Sequence, residues 1–568
     1  MSAEAGRISE PRAGYDKPIF IGVGTAAAAA VVVWAAMLLA GGQEVGMNPF
    51  SAVIGLATGD LAWSTATTVW LAALVVMLLV PVVVAWRSWS SKRGQRTRVD
   101  GAQRHLGSGR DIESLRRRSV ESKSRSLGVT PDVMVAPFTT WAGVRLGRRL
   151  GSQEDLLADW EAMHLDIWGP RQGKSTSRII PAICEAPGAV LTTENKRGNL
   201  DHTRLVREFR DEAGNPTRAV WVFDPQAVAN EPASWWWNPL SYVRGETEAE
   251  ELAGLFAAGD DGQEAKKDPY FDPEGQDLLA NLILASALGG EPITTVYKRL
   301  VDLNLCRKAV AILDQHDYPM IALALNARLN LPDKQKMGIV GTAQNMARCL
   351  RNQEISKWIT DDSGARPHLD LETYVRQSET LYCLSKEGVG SAGPIVAALT
   401  VAATRTAERI ATASPGGRLP VPMLCPLDEA ANVVRWSQLP SLYSHFGSRG
   451  IIIMTVLQSW SQGIGVWGER GMKLLESSSN AYIYGGNVRE KEYLAQLVDL
   501  AGQYDRHARN VSRGGGRQSH SESTHVTREQ IFTVADLAAW PRGRMLTFSA
   551  GNRPVIVEAV PWMDGSAP

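Results

Sequence analysis

Three segments of this 568-residue sequence carry residue types that can bind a nucleoside triphosphate and split its terminal bond. The first is Gly169-Pro170-Arg171-Gln172-Gly173-Lys174-Ser175-Thr176. Holding a triphosphate takes backbone N–H groups that can close around phosphate oxygens, a helix start whose dipole favours negative charge, a lysine for the β and γ oxygens and a hydroxyl for Mg²⁺. Gly173, Lys174 and Ser175 supply these, with Thr176 following; in the pattern Gly-x-x-x-x-Gly-Lys-Ser/Thr the first glycine would fall at Trp168, which is expected to weaken nucleotide affinity. The second segment, Pro422 to Leu427 followed by Asp428-Glu429, is an apolar run ending in two adjacent carboxylates. Such a pair can give Mg²⁺ an aspartate and the attacking water a glutamate base; a helix start with favourable dipole placement is the plainer reading. The third is Ser448-Arg449-Gly450, the run Ile451 to Leu457, then Gln458-Ser459. Gln458 is placed to sense the γ-phosphate or orient water, and Arg449 to reach a neighbouring subunit's nucleotide; a strand-end hydrogen bond and a surface ion pair are the alternatives.

These segments need a scaffold that brings their ends together. From about Val129 onward the pattern alternates short β-branched runs with helical spacing: strands at Met163 to Ile167, Ala189 to Thr192 and Ala219 to Phe223, and a helix over Lys174 to Cys184. That order predicts a parallel sheet with helices on both faces. Residues 247–365 read as helical throughout, with stretches such as Leu278-Leu279-Leu282, and predict an all-α insert. Strands resume at Thr380 to Leu384, Pro422 to Leu427, Gly450 to Leu457 and Ala481 to Gly485, with a helix over Pro394 to Thr412. Pro426 inside one of them points to a bulge. Arg506 to His520, rich in Gly, Ser, Arg and His, cannot bury a core and reads as a mobile loop whose Arg506, Arg509, Arg513 and Arg517 are solvated.

Ahead of this part, Pro18 to Gln43 and Leu61 to Trp86 are each uncharged and longer than the ~20 apolar residues that span a bilayer. Spans at about 18–41 and 63–86 are expected. Between Arg87 and Arg125 stand twelve Lys or Arg against four acids, whereas the segment between the two stretches has no Lys or Arg. The positive-inside rule then places both termini in the cytoplasm and makes 91–128 a solvated basic segment beside anionic lipid. The 60 basic and 60 acidic residues cancel, which argues against a protein that coats nucleic acid. The five cysteines are scattered without a paired spacing or a histidine cluster, so neither a zinc site nor a disulfide framework is expected.

Taken in order, the phosphate loop after two apolar stretches, Glu194-Asn195-Lys196-Arg197-Gly198, Val222-Phe223-Asp224-Pro225, Trp237-Asn238-Pro239-Leu240, Leu427-Asp428-Glu429-Ala430, Ser448-Arg449-Gly450, Leu457-Gln458-Ser459 and Tyr484-Gly485-Gly486-Asn487 resemble the type IV coupling proteins of conjugative DNA transfer, the TraG/TraD-like family. The resemblance runs from about residue 15 to 560. It implies a RecA-like P-loop NTPase domain with an inserted all-α domain and two N-terminal transmembrane helices. The expected division is a cytoplasmic N-terminus 1–17, an anchor 18–90, a basic linker 91–128, nucleotide-binding parts 129–246 and 366–568, and the insert 247–365. It further implies ATP and Mg²⁺ as cofactors, Ser175 and Asp428 on the metal, and Glu429 as base. A homo-hexamer at the bacterial inner membrane would join a relaxase-bound single strand of DNA to the components of a type IV secretion channel. The competing readings are an FtsK-like translocase of duplex DNA, a non-hydrolysing receptor for secreted substrates, and a secretion ATPase that handles protein alone.

Overall fold

The run Ile451-Ile452-Ile453-Met454-Thr455-Val456-Leu457 has no polar face, and all seven positions are buried. A strand covered on both sides by helices demands such a composition. The computed structural model of the chain describes residues 17–41, 45–94, 97–131, 141–209, 216–260, 268–361, 363–386, 392–513 and 520–564. Its strands are β1 (Val144–Arg149), β2 (Asp155–Ala158), β3 (His164–Ile167), β4 (Val190–Glu194), β5 (Val220–Phe223), β6 (Thr380–Leu384), β7 (Met423–Leu427), β8 (Ile451–Leu457), β9 (Ala481–Tyr484), β10 (Gln503–Arg513), β11 (His520–Gln530), β12 (Arg544–Ser549) and β13 (Val555–Glu558).

Eleven of these form one sheet in the order β2-β1-β13-β12-β9-β3-β8-β7-β4-β6-β5. From β9 to β5 the pairing is parallel, as the alternation of strands and helices predicts. Alternate residues of β8 point to opposite faces. Ile451, Ile453 and Leu457 join a large core with the helices Gly393–Ala413 and Leu439–Ser448, whereas Ile452, Met454 and Val456 pack with Ile179, Ala182 and Ile183. Helices therefore cover both faces. The four antiparallel strands β12, β13, β1 and β2 that extend the sheet were not expected; each is only four to six residues long, too short for alternation to stand out. Pro426 does not make a bulge against β8, since the register Met423↔Ile451 to Leu427↔Thr455 is unbroken. Between β5 and β6 the named strands are absent among the described residues, and helices from Glu246–Asp260 to Leu371–Arg376 fill the interval.

Residues 1–98 and 99–568 form two units. In the first, the stretches expected to span are helical as Lys17–Ala40 and Thr65–Gly94, with Pro49–Thr58 between them. Among the described residues no helix is long and apolar enough to cross a membrane, so the spanning expectation finds no support there. In the second unit, residues expected to be a solvated basic linker are folded onto the sheet. Asp100 pairs with Arg544 at 2.9 Å, Gln103 Oε1 accepts the Ile556 N–H at 2.9 Å and Gly107 N–H donates to Pro554 O at 2.7 Å. Charge counting missed this because the buried groups are a few apolar residues, Val99, Leu106, Ile112 and Leu115. The expected mobile loop at 506–520 is also corrected in part. β10 and β11 pair in register from Gln503↔Gln530 to Arg513↔His520, and residues 514–519, with Arg517, lie outside the described residues. A two-stranded ribbon satisfies its backbone through the ladder and needs no apolar core, which composition alone cannot reveal.

Candidate functional site

The phosphate-loop segment leaves the carboxyl end of β3, where open α/β sheets carry ligands. Its start is fixed by Trp168 N–H donating to Leu457 O and Gly169 N–H donating to Gly486 O, both at 2.9 Å. Asn487 Nδ2 donates to Pro170 O at 3.0 Å, so Gly486 and Asn487 buttress the loop from the next strand. Arg171 (φ 62°) and Gly173 (φ 90°) take left-handed backbone, which curls the segment on itself. Gln172 Oε1 is buried without a hydrogen-bond partner. Ser175 opens a π-helical turn, Ser175–Ile179, inside which Thr176 Oγ1 donates to Gly173 O at 3.1 Å. Beneath the turn, the fully buried Arg178 pairs with Asp166 at 2.9 Å. His164 beside them is kept neutral, its pKa pulled well down by burial and by Arg178.

Asp428 and Glu429 follow β7, two strands from β3. Lys174 Nζ lies 2.7 Å from Asp428 Oδ1 and 2.7 Å from Glu429 Oε1, and Gln458 Nε2 donates to the same Glu429 oxygen at 2.6 Å. The loop, the acidic pair and the strand-end glutamine thus meet. Glu429 holds a left-handed backbone (φ 55°, ψ 41°) that few side chains adopt without support. Its N–H donates to Asp428 Oδ1 at 3.0 Å, and Thr193 Oγ1 donates to Asp428 O at 2.9 Å, which fixes the turn. Burial alone would lower the Lys174 pKa; Asp428 and Glu429 override it and hold the ammonium above its usual range. Glu429 Oε2 is buried without a partner. A buried carboxylate oxygen without a partner, beside a lysine and a serine hydroxyl, fits a Mg²⁺-nucleotide. Among the described residues no set of three His, Cys, Asp or Glu could hold a metal by itself, and a hydroxyl, one carboxylate and phosphate oxygens are the set Mg²⁺ uses with phosphates.

Glu194, at the end of β4, was noted in the sequence only as part of a motif. Its carboxylate oxygen accepts the Asn199 N–H at 2.9 Å at the start of the helix Gly198–Arg207, and it lies within the field of Asp428. Burial pushes its pKa up to about 8, the Asp428 charge adding to the rise and backbone N–H groups opposing it. At neutral pH a third negative charge is thereby kept out of the site. A folded value of about 8 against an ordinary 4.5 means that the contribution to stability is full below pH 4.5 and is lost as pH rises through 8. Glu194→Gln cannot ionise, so its melting temperature is expected to gain about 2–5 °C on the unsubstituted protein between roughly pH 5 and pH 9. A difference between the two proteins that stays flat across that range would remove the buried acid from the account.

Arg449 sits at the other end of β8. Between it and Gln458 lie Gly450 and the seven residues of the strand, which at about 3.3 Å each extend roughly 23 Å. Its Nη1 donates to Thr412 Oγ1 at 2.5 Å, its Nε lies 3.1 Å from His445 Nε2, and Glu408 is 3.7 Å away. The structure therefore unites Lys174, Asp428, Glu429 and Gln458 and leaves Arg449 outside that group, in an ion-pair cluster of its own.

Trp168 occupies the position of the pattern's first glycine. Its indole is buried in an apolar cluster with Leu146, Leu156, Met545 and Val557, and a Cβ built on Gly485 would stand 2.0 Å from the ring. The ring occupies the sheet's interior and forms the floor under the loop's first residue. Gly485, a member of the Tyr484-Gly485-Gly486-Asn487 segment, supplies the space that the ring takes.

Residues 422–542 match a family model described as the TraM recognition site of TraD and TraG. No curated protein matches the chain in sequence. Among solved structures, the bacterial conjugative coupling protein TrwB lacking its first 70 residues, in an unbound form, is similar with a TM-score of 0.53 and 15% identity, over 73% of this chain and 88% of that one. TrwB in complex with ADP and Mg²⁺ is similar with a TM-score of 0.51 and 15% identity, over 75% of this chain and 95% of that one. The fold is thus that of TrwB, a mixed α/β architecture built on a large, mainly parallel sheet of the RecA-like kind. The matched residues include the acidic pair Asp428-Glu429 and Gln458, and the family model and the fold together support a likeness to the TraG/TraD-like type IV coupling proteins.

Proposed function

We propose that the chain is an ATP-hydrolysing motor that passes relaxase-bound single-stranded DNA to a type IV secretion channel. The observation that carries this reading is the meeting of Lys174, Asp428, Glu429 and Gln458 at the carboxyl ends of β3, β7 and β8. On this reading Lys174 leaves the two carboxylates for the β and γ phosphate oxygens when nucleotide binds. The freed Asp428 and the Ser175 hydroxyl would hold Mg²⁺, which would supply positive charge to the phosphates. Glu429 takes the proton of the attacking water, and Gln458, hydrogen-bonded to Glu429, orients that water. The loop's N–H groups and the Lys174 charge stabilise the oxygens on which negative charge develops.

The length of β8, roughly 23 Å, keeps Arg449 from its own subunit's nucleotide, so its role as a finger calls for a ring in which it reaches the next subunit. A homo-hexamer meets that requirement. Attachment to the bacterial inner membrane through residues 18–90 is part of the proposal; it is supported by apolar side chains left in solvent there, such as Met77 at 72% and Val69 at 67% exposure.

The decisive experiment measures ATP hydrolysis by the detergent-solubilised full chain with and without single-stranded DNA. Turnover that rises with the DNA and disappears in Lys174→Ala is expected. Hydrolysis in Lys174→Ala at the unsubstituted rate would end the motor reading, and indifference to single-stranded DNA in an assembled ring would end its DNA part. For Arg449, subunits carrying Arg449→Ala mixed with subunits carrying Glu429→Gln should hydrolyse ATP that neither hydrolyses alone. Mixed assemblies that stay as inactive as the parents would confine Arg449 to its ion cluster.

A further inference from the structure

The chain's last described turn reaches the phosphate loop from outside the sheet. β13 runs in the same direction as β3, because it is antiparallel to β12, which is antiparallel to β9, which is parallel to β3. After Glu558 the chain therefore emerges at the edge that carries Lys174. There the turn Trp562–Asp564 packs against the turn Ser175–Ile179 that follows the loop. The Trp562 ring lies 4.8 Å from that of His202, tilted by 41°, and His202 stands on the helix Gly198–Arg207, which also borders Ser175–Ile179. His202 is exposed, Trp562 half-buried and the adjoining Met563 is 62% exposed. Two aromatic rings from segments more than 350 residues apart thus pack on each other as a clip that holds the half-buried Trp562 ring beside the turn that follows the phosphate-binding lysine.

We propose that this clip seats the nucleobase of the bound nucleotide, with Trp562 as the stacking surface. The proposal rests on the reading of Lys174 as the phosphate ligand. A five-residue helical turn advances about 7 Å along its axis, so the rings that flank it stand within reach of a base joined through a sugar to phosphates at its start. Every base presents a π-face, so stacking on Trp562 tolerates purines of either kind, and the clip raises affinity without choosing adenine over guanine. His202, packed against Trp562, steadies that ring and does not itself enclose the base.

The test compares ATP, GTP and inorganic tripolyphosphate, each with Mg²⁺, as competitors of a fluorescent ATP analogue on the full chain in detergent. Trp562→Ala is expected to weaken ATP and GTP about 10-fold and to leave tripolyphosphate, which has no base, unchanged. Trp562→Phe keeps an aromatic face and should restore both nucleotides to within about twofold of the unsubstituted protein. Equal weakening of tripolyphosphate and ATP in Trp562→Ala would make Trp562 a structural latch and overturn the proposal, as would ATP affinity that ignores the substitution. Tripolyphosphate that fails to compete on the unsubstituted protein, or competes equally on Lys174→Ala, would instead overturn the phosphate-site reading, and the clip would fall with it.

Discussion

Glu429→Gln is expected to lower the turnover number for ATP by about 10²–10⁴-fold while Mg²⁺-ATP still binds. The glutamine side chain has nearly the same shape and can still accept the Gln458 and Lys174 hydrogen bonds now made by Oε1 at 2.6 and 2.7 Å. It lacks the basicity to take a proton from water, so the loss falls on the chemical step. Binding should hold or tighten. In the free protein Lys174 is held between two carboxylates, and removing one charge lowers the cost of moving the ammonium to the phosphates. Lys174→Ala acts at the opposite point: it removes the phosphate ligand and leaves two buried carboxylates without their cation, a change that costs about 3–5 kcal/mol for a buried pair. The two variants therefore separate on equilibrium binding, where Glu429→Gln keeps nucleotide and Lys174→Ala does not. A turnover number for Glu429→Gln within threefold of the unsubstituted value would show that another group takes the proton.

Much of this arrangement is legible in the residues because the chemistry sits at strand ends. An apolar run followed by a polar residue marks both a buried parallel strand and the point where its side chains meet the ligand edge, and β7 and β8 are of that kind, whereas β3 alternates polar and apolar residues and is marked by the glycine-rich segment after it. Strand limits fall within a residue or two of the expected ones, as Met423–Leu427 against 422–427 shows. What escapes sequence reasoning depends on partners distant in the chain. The protonated state of Glu194 is set chiefly by burial and reinforced by Asp428, and both arise only once the strands pair and β4 lies beside β7. The docking of Asp100 onto Arg544 joins positions 444 residues apart, and nothing in the spacing of a basic segment announces it. The β10–β11 ribbon, by contrast, hides because its composition is that of a loop while its register is that of a hairpin.

Gly485→Ala is expected to destabilise the protein by about 3 kcal/mol or more and to weaken nucleotide binding, although Gly485 touches no reacting group. A methyl at this position would stand 2.0 Å from the Trp168 ring, far inside contact distance, and the ring cannot withdraw from a filled cluster. Relief requires β3 and the residue after β9 to part, which breaks the Gly169 N–H to Gly486 O bond that starts the phosphate loop. Trp168→Ala alone should also be damaging, by about 3–5 kcal/mol, through the cavity it leaves. The two changes are not independent, because each removes the object that the other collides with or supports. In the double variant the new methyl enters the space the indole vacated, so the combined loss should be no greater than that of Trp168→Ala alone, and a coupling of about 3 kcal/mol or more, the full Gly485→Ala loss, should appear in the double-mutant cycle. Additive losses in thermal unfolding would mean that Trp168 and Gly485 do not share this space. A non-additive cycle would establish that the bulky residue in the place of the loop's first glycine is accommodated by moving the need for a glycine to the neighbouring strand, where the loop keeps its shape and the phosphate-facing residues from Gly169 to Ser175 keep their positions.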